Sequence, residues 1–188
     1  MKMKPVIADR IYAVHTMVTI DFRLDFNVVV IMDDSGVGKT MVYNILKSEL
    51  FADPRLAYLD YTNLEQDYKS IIRESNGKIF IIDNADVLLD DIELQKYIAF
   101  DHKNQYIILG HNIKYLWLVN EQIYCLEHEI GIDGFMTFKL SQVLQVQGEW
   151  ADVGVARTIT MKEPPESLSA EGRLAILCQK GEELLSKT

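Results

Sequence analysis

The passage from Val28 to Leu50 narrows the fold more than any other part of the sequence. Val28-Val29-Val30-Ile31-Met32 is a continuous apolar run rich in β-branched residues. A strand reads this way when both of its faces are buried, as in the centre of a parallel sheet. The run passes directly into Asp33-Asp34-Ser35-Gly36-Val37-Gly38, a loop by composition. From Lys39 to Leu50, Val42, Ile45, Leu46 and Leu50 recur at helical spacing, and Asp53-Pro54 ends that helix. A buried strand therefore delivers the chain through a glycine-rich turn into a helix N-terminus.

Strands and helices alternate downstream. Leu56–Tyr61 reads as a short strand, and Thr62-Asn63-Leu64-Glu65 has the spacing of a capping box. That cap predicts a helix with Leu64, Tyr68, Ile71 and Ile72 on one face and Gly77 beyond its end. Lys78–Ile82, Gln105–Leu109 and Phe135–Leu140 read as strands, Asp91–Phe100 as a helix, and Ile113–Glu129 as mostly helical. Before Val28, the even positions from Tyr12 to Phe26 are apolar or Thr, which predicts one alternating strand or a hairpin with the odd positions on the wetter face. Val155–Met161 reads as a further strand, and Ser167 as the cap of a last helix carrying Leu174, Leu177, Cys178 and Leu184. The expectation is an α/β fold: a mostly parallel sheet layered with helices, opened by the N-terminal strand or hairpin. One domain is expected over 1–188, with its core at about 27–140 and a C-terminal extension at 141–188.

Composition limits the function classes. Nineteen basic and 28 acidic residues give a net charge of -9, which disfavours nonspecific binding to nucleic acid or anionic lipid. No apolar run reaches the roughly 18 residues that span a bilayer. The basic start, MKMKPVIADR, leads into no apolar stretch of the secretory kind. Cys125 and Cys178 have no C-x-x-C partners and read as free thiols, which points to a reducing cytoplasm.

The loop after the buried strand carries the most specific chemistry. Gly36-Val37-Gly38-Lys39-Thr40, between a strand and a helix, has the context of a phosphate-binding P-loop. Glycines allow successive backbone N–H groups to surround phosphate oxygens, and the helix N-terminus favours the anion. The residues expected to hold the nucleotide are Ser35, Gly36, Val37, Gly38, Lys39, Thr40 and Met41, with Lys39 on the β- and γ-phosphates and the Thr40 hydroxyl on Mg²⁺. The motif's first glycine would fall at 33, where this chain has Asp33, and Asp34 adds a second negative charge. The alternative is a glycine-rich turn with an exposed lysine and no ligand. Asp83 ends the apolar strand Lys78–Ile82, where a carboxylate can hold Mg²⁺ or can simply cap a turn. Asp86 follows two residues beyond Asn84. Gln105–Leu109 leads to Gly110-His111-Asn112, where Asn112, or His111 instead, could bond a γ-phosphate or the attacking water.

In this order of elements and motifs, the chain resembles the P-loop NTPases, and within them the AAA+ and STAND-type ATPases. The resemblance covers about residues 27–140 and rests on Gly36-Val37-Gly38-Lys39-Thr40, Phe80-Ile81-Ile82-Asp83 and Gly110-His111-Asn112. It implies ATP more than GTP as ligand, Mg²⁺ held by Thr40 and Asp83, and Asp83 and Asn112 in the catalytic set, which Asp86 could join in place of a glutamate after Asp83. The alternating N-terminal strand is also similar to ABC-type ATPases, but no LSGGQ-like signature follows. In the AAA+ pattern a glutamate follows the strand-end aspartate, and here Asn84 stands in its place. Arg157 and Arg173 are arginine-finger positions by elimination only, and the chain after Leu140 is short for a helical lid.

These observations predict an ATP-binding protein that is a weak or partner-dependent ATPase. A non-hydrolysing nucleotide-binding regulatory or interaction protein and a small-molecule kinase are the alternatives. A protein partner or a homo-oligomer could complete the site. No arginine pair suited to a kinase lid occurs, and neither N-K-x-D nor D-x-x-G follows the loop as in GTPases.

Overall fold

In the computed structural model of the chain, residues 4–111 and 122–143 are described. The elements in chain order are β1 (Arg10–His15), β2 (Val18–Arg23), β3 (Val28–Met32), α1 (Lys39–Glu49), β4 (Leu56–Leu59) and a 3₁₀ turn at Tyr61–Glu65. They continue with α2 (Tyr68–Glu74), β5 (Ile79–Ile82), α3 (Ala85–Leu88), α4 (Ile92–Phe100), β6 (Gln105–Gly110), β7 (Ile123–Ile130) and β8 (Met136–Gln142). All eight strands form one sheet in the order β1-β2-β8-β7-β3-β6-β5-β4.

This corrects the expected mostly parallel sheet layered with helices. The sheet is strand-rich, mixed and curled into a half-barrel, with few helices. Two pairs, β1 with β2 and β7 with β8, are antiparallel hairpins, and β2 joins β8 in parallel with Ile20 opposite Phe138. The N-terminal hairpin thus extends the sheet through a strand more than a hundred residues away in sequence, a pairing that local periodicity does not report.

Three local expectations also change. Ile123–Ile130 is a strand where a mostly helical stretch was predicted. Its Leu126 and Ile130 fit helical spacing, but Tyr124, Cys125 and Leu126 are buried in the sheet. The predicted helix from Thr62 is two pieces. Asp60 caps the 3₁₀ turn through Thr62 and exchanges bonds with Asn63 in a capping box, and Asp67 caps α2 through Ser70. In the N-terminal hairpin the buried parity switches at the turn. Ile11 and Ala13 are buried in β1, and Ile20 and Phe22 in β2, while Tyr12 and Val14 are exposed. The two-residue turn Thr16-Met17 pairs odd positions with even ones, Ile11 with Phe22 and Ala13 with Ile20, so one buried face must use both parities.

Both faces of the central strands are covered. Val29 and Ile31 of β3, with Ile81 of β5 and Ile107 of β6, pack against Val42, Tyr43 and Leu46 of α1 and against the N-terminal hairpin. On the opposite face Val28, Val30, Phe80, Ile82 and Ile108 pack against Ile72 of α2, Leu88 of α3, and Leu94 and Ile98 of α4. This two-sided burial explains why β3, β5 and β6 read as unbroken apolar runs. Phe80 and Tyr106 stack across adjacent strands with centroids 5.5 Å apart.

At the amino-terminal end of β6, Gln105 grips the segment before β1. Its Oε1 accepts from the Ile7 and Ala8 N–H groups, and its Nε2 donates to the Ala8 carbonyl. A side-chain amide here does the work of a neighbouring strand. The expectations placed on Asn112, Val155–Met161, Arg157, Ser167, Arg173 and Cys178 lie outside the described residues. Among the described residues, no helix is long and apolar enough to cross a membrane.

Candidate functional site

Residues 33–38 join β3 to α1 at the carboxyl end of the strand. Gly36 and Gly38 have φ of 90° and 102°, the left-handed region that side chains with a Cβ rarely adopt. Gly38 is also the N-cap of α1 and makes no side-chain cap bond, whereas Asp67 and Asp91 cap α2 and α4 with their carboxylates. Among the described residues the first-turn N–H groups of α1 have no side-chain acceptor, and an anion can fill that role. A Cβ on Gly38 would come within 3.4 Å of the Phe138 ring of β8, so the loop also rests closely on the neighbouring hairpin.

Lys39 is buried, with only 6% of its surface exposed. Its Nζ donates to the carbonyls of Asp33 and Asp34, each at 2.7 Å, and folds back across the loop that it follows. Burial pushes its pKa below the usual lysine range, against the opposing pull of Asp33, Asp86, Asp34 and Asp83. Four carboxylates around one ammonium give the loop a strongly charged setting. Ser35, Gly36, Thr40 and Met41 are exposed along the same loop and first helical turn, while Val37 and Gly38 are half-buried.

Asp33 does not stand free beside the loop. Its Oδ1 accepts from the Asp34 N–H at 2.8 Å, and its Oδ2 from the Leu126 N–H of β7 at 3.1 Å. The acid in the place of the motif's first glycine thus ties the loop to the next strand. Sequence reasoning missed this tie, although an Asp just after a strand commonly bonds nearby backbone N–H groups.

Asp83 follows β5 and is buried, and its carboxylate accepts no hydrogen bond from a described residue. Asn84 has φ 53° and ψ 41°, and is the left-handed N-cap of α3 without a side-chain cap bond. Asp86, in the first turn of α3, accepts the His111 backbone N–H at 2.9 Å. The register of β3 and β6 sets Met32 opposite Gly110, which brings His111 beside Asp33. His111 Nδ1 lies 3.0 Å from the Asp33 carbonyl oxygen and 3.4 Å from Lys39 Nζ. The structure therefore brings Lys39, Asp33, Asp86 and His111 into one cluster. Asn112 lies outside the described residues.

Mg²⁺ keeps several waters and takes few protein oxygens beside those of a phosphate. A hydroxyl at Thr40 and a carboxylate without a described donor at Asp83 are donors of that kind. Among the described residues no group of three or more His, Cys, Asp and Glu side chains is arranged to hold a metal ion by itself. A separate depression of about 610 Å³ lies at the β7–β8 turn, lined by Thr19, Glu129, Ile130, Asp133, Phe135 and Thr137 among others, and no residue of 33–40 lines it.

Comparison with protein-family models, with curated proteins and with solved structures gives no match to this chain.

Proposed function

We propose that the chain binds a nucleoside triphosphate, ATP in preference to GTP, with its phosphates at residues 35–41, and that it hydrolyses ATP slowly or with help from a partner. The observation that carries this reading is the α1 N-terminus. It is uncapped, two left-handed glycines open it, and Lys39 folds back over the same loop. A phosphate would accept from the free N–H groups and draw Lys39 Nζ away from the two carbonyls. The parallel run β3-β6-β5, which sets β6 between the loop strand and the Asp83 strand, supports the same reading. Thr40 and Asp83 would hold Mg²⁺, which when bound would offset charge on the β- and γ-phosphates.

Asn84 favours a second reading, a nucleotide-binding regulatory protein that does not hydrolyse. Its left-handed cap position carries an amide, which takes no proton from water. Calorimetric titration of the full chain with ATP and GTP, with and without Mg²⁺, tests the binding reading. A heat of binding that Lys39→Ala weakens supports it, and no binding of either nucleotide rejects it. Release of phosphate from bound ATP separates the slow ATPase from the regulatory protein.

A further inference from the structure

We propose that His111 is the proton acceptor for hydrolytic water in this chain, doing the work that Asn84 cannot. The inference rests on the ATP site above and deepens it. Its basis is the hydrogen bonding around one carbonyl. The Asp33 oxygen can only accept, and His111 Nδ1 lies 3.0 Å from it. Two acceptors at that distance would repel, so the ring proton sits on Nδ1 and is donated to Asp33. It follows that Nδ1 is not an acceptor for Lys39 Nζ at 3.4 Å, and that Lys39 is held by the Asp33 and Asp34 carbonyls instead. The neutral ring then keeps its lone pair on Nε2.

The backbone holds this tautomer in place. Asp86 accepts the His111 N–H at 2.9 Å, and pairing of β3 with β6 fixes the strand end from which the ring projects. The ring is solvent-exposed, so water reaches it. Lys39 Nζ lies 3.4 Å from the ring, and the carboxylates of Asp33, Asp86, Asp34 and Asp83 act on that ammonium.

The step balances without a further reactant. The water oxygen bonds to the γ-phosphorus. The bond from that phosphorus to the bridging oxygen breaks, and its electron pair leaves with ADP. One water proton passes to Nε2, and the imidazolium later returns it to solvent. Asn84, with an amide after Asp83, has no part in that transfer.

The test uses the full chain with Mg²⁺ and labelled ATP, measuring single-turnover hydrolysis from pH 5 to 9 alongside calorimetric ATP binding. Wild type is expected to show an acidic limb of unit slope, as a base must be unprotonated to act. His111→Gln is expected to bind ATP within threefold of wild type, to hydrolyse it about 10²-fold more slowly, and to lose the limb. Wild type that binds ATP but shows no turnover, or an acidic limb that His111→Gln retains, overturns this inference and leaves the binding reading standing. Wild type that binds no ATP overturns both. If His111→Gln fails to fold, the wild-type profile decides, and absence of the unit-slope limb overturns the inference.

Discussion

The Asp33 carboxylate accepts the Leu126 N–H at 3.1 Å and so fastens the loop after β3 to β7. Its other oxygen holds the Asp34 N–H at 2.8 Å. The residue that departs most from the phosphate-loop pattern is thus an anchor for that loop.

Asp33→Gly is expected to lower unfolding free energy by about 1–2 kcal/mol, since two N–H groups lose their acceptor. ATP affinity is expected to stay within about threefold, because the lost carboxylate is turned to backbone donors. Urea unfolding and calorimetry check the two halves separately. A large gain in ATP affinity would show that Asp33 acts on the phosphates after all.

Lys39→Ala is expected to weaken ATP binding by about 2 kcal/mol, roughly 30-fold, through loss of a charge-assisted contact. Titration calorimetry reads this directly. Equal binding by the variant and wild type would place the nucleotide elsewhere.

Asp60 sets a pH dependence of stability. Burial works to raise its pKa, but bonds from Thr62, Tyr43 and Lys47 outweigh that and hold it at about 2, below the ordinary 3.8. As pH falls, the unfolded chain takes up this proton first. The stabilisation is therefore whole above pH 3.8 and is lost as pH drops toward 2. It amounts to about 2 kcal/mol for a shift of this size. Asp60→Asn is expected to flatten the stability profile between pH 4 and 2, as followed by urea midpoints. An unchanged slope would assign the acid sensitivity to other carboxylates.

Asn84 holds a left-handed conformation at φ 53°, which glycine tolerates and glutamate does not. Asn84→Gly is expected to keep stability within about 0.5 kcal/mol, while Asn84→Glu costs about 1 kcal/mol. Thermal unfolding of both variants decides this. A stable Asn84→Glu protein would mean that the turn relaxes to another backbone conformation.

What could be read in the sequence depended on the range of the interactions involved. Val28–Met32 announced itself because two-sided burial selects apolar, mostly β-branched residues at successive positions, and Gly36 and Gly38 because their backbone angles favour glycine. The helix after Asp91 was visible in the same way, since its cap bonds reach only to Glu93 and Leu94. The loop residues and Asp83 were located from these local signals. The antiparallel hairpins in the sheet were not. β7 carries Glu127, His128 and Glu129 as it leaves the core, which blurs its strand pattern. The tie from Asp33 to Leu126 spans 93 residues, and the His111 contact with Asp33 spans 78. Such pairings arise from sheet order, which no local spacing encodes.

The pairing of β2 with β8 has a consequence for how the protein is made. β2 ends at Arg23, and its partner begins at Met136. With synthesis at roughly 5–20 residues per second, the N-terminal hairpin leaves the ribosome on the order of ten seconds before β8 exists. Through that interval Ile20 and Phe22 lack the core that later covers them, and one edge of β2 has no partner. The hairpin emerges before β8 and docks late, so this is a stretch on which nascent chains should capture one another and which a chaperone should shield.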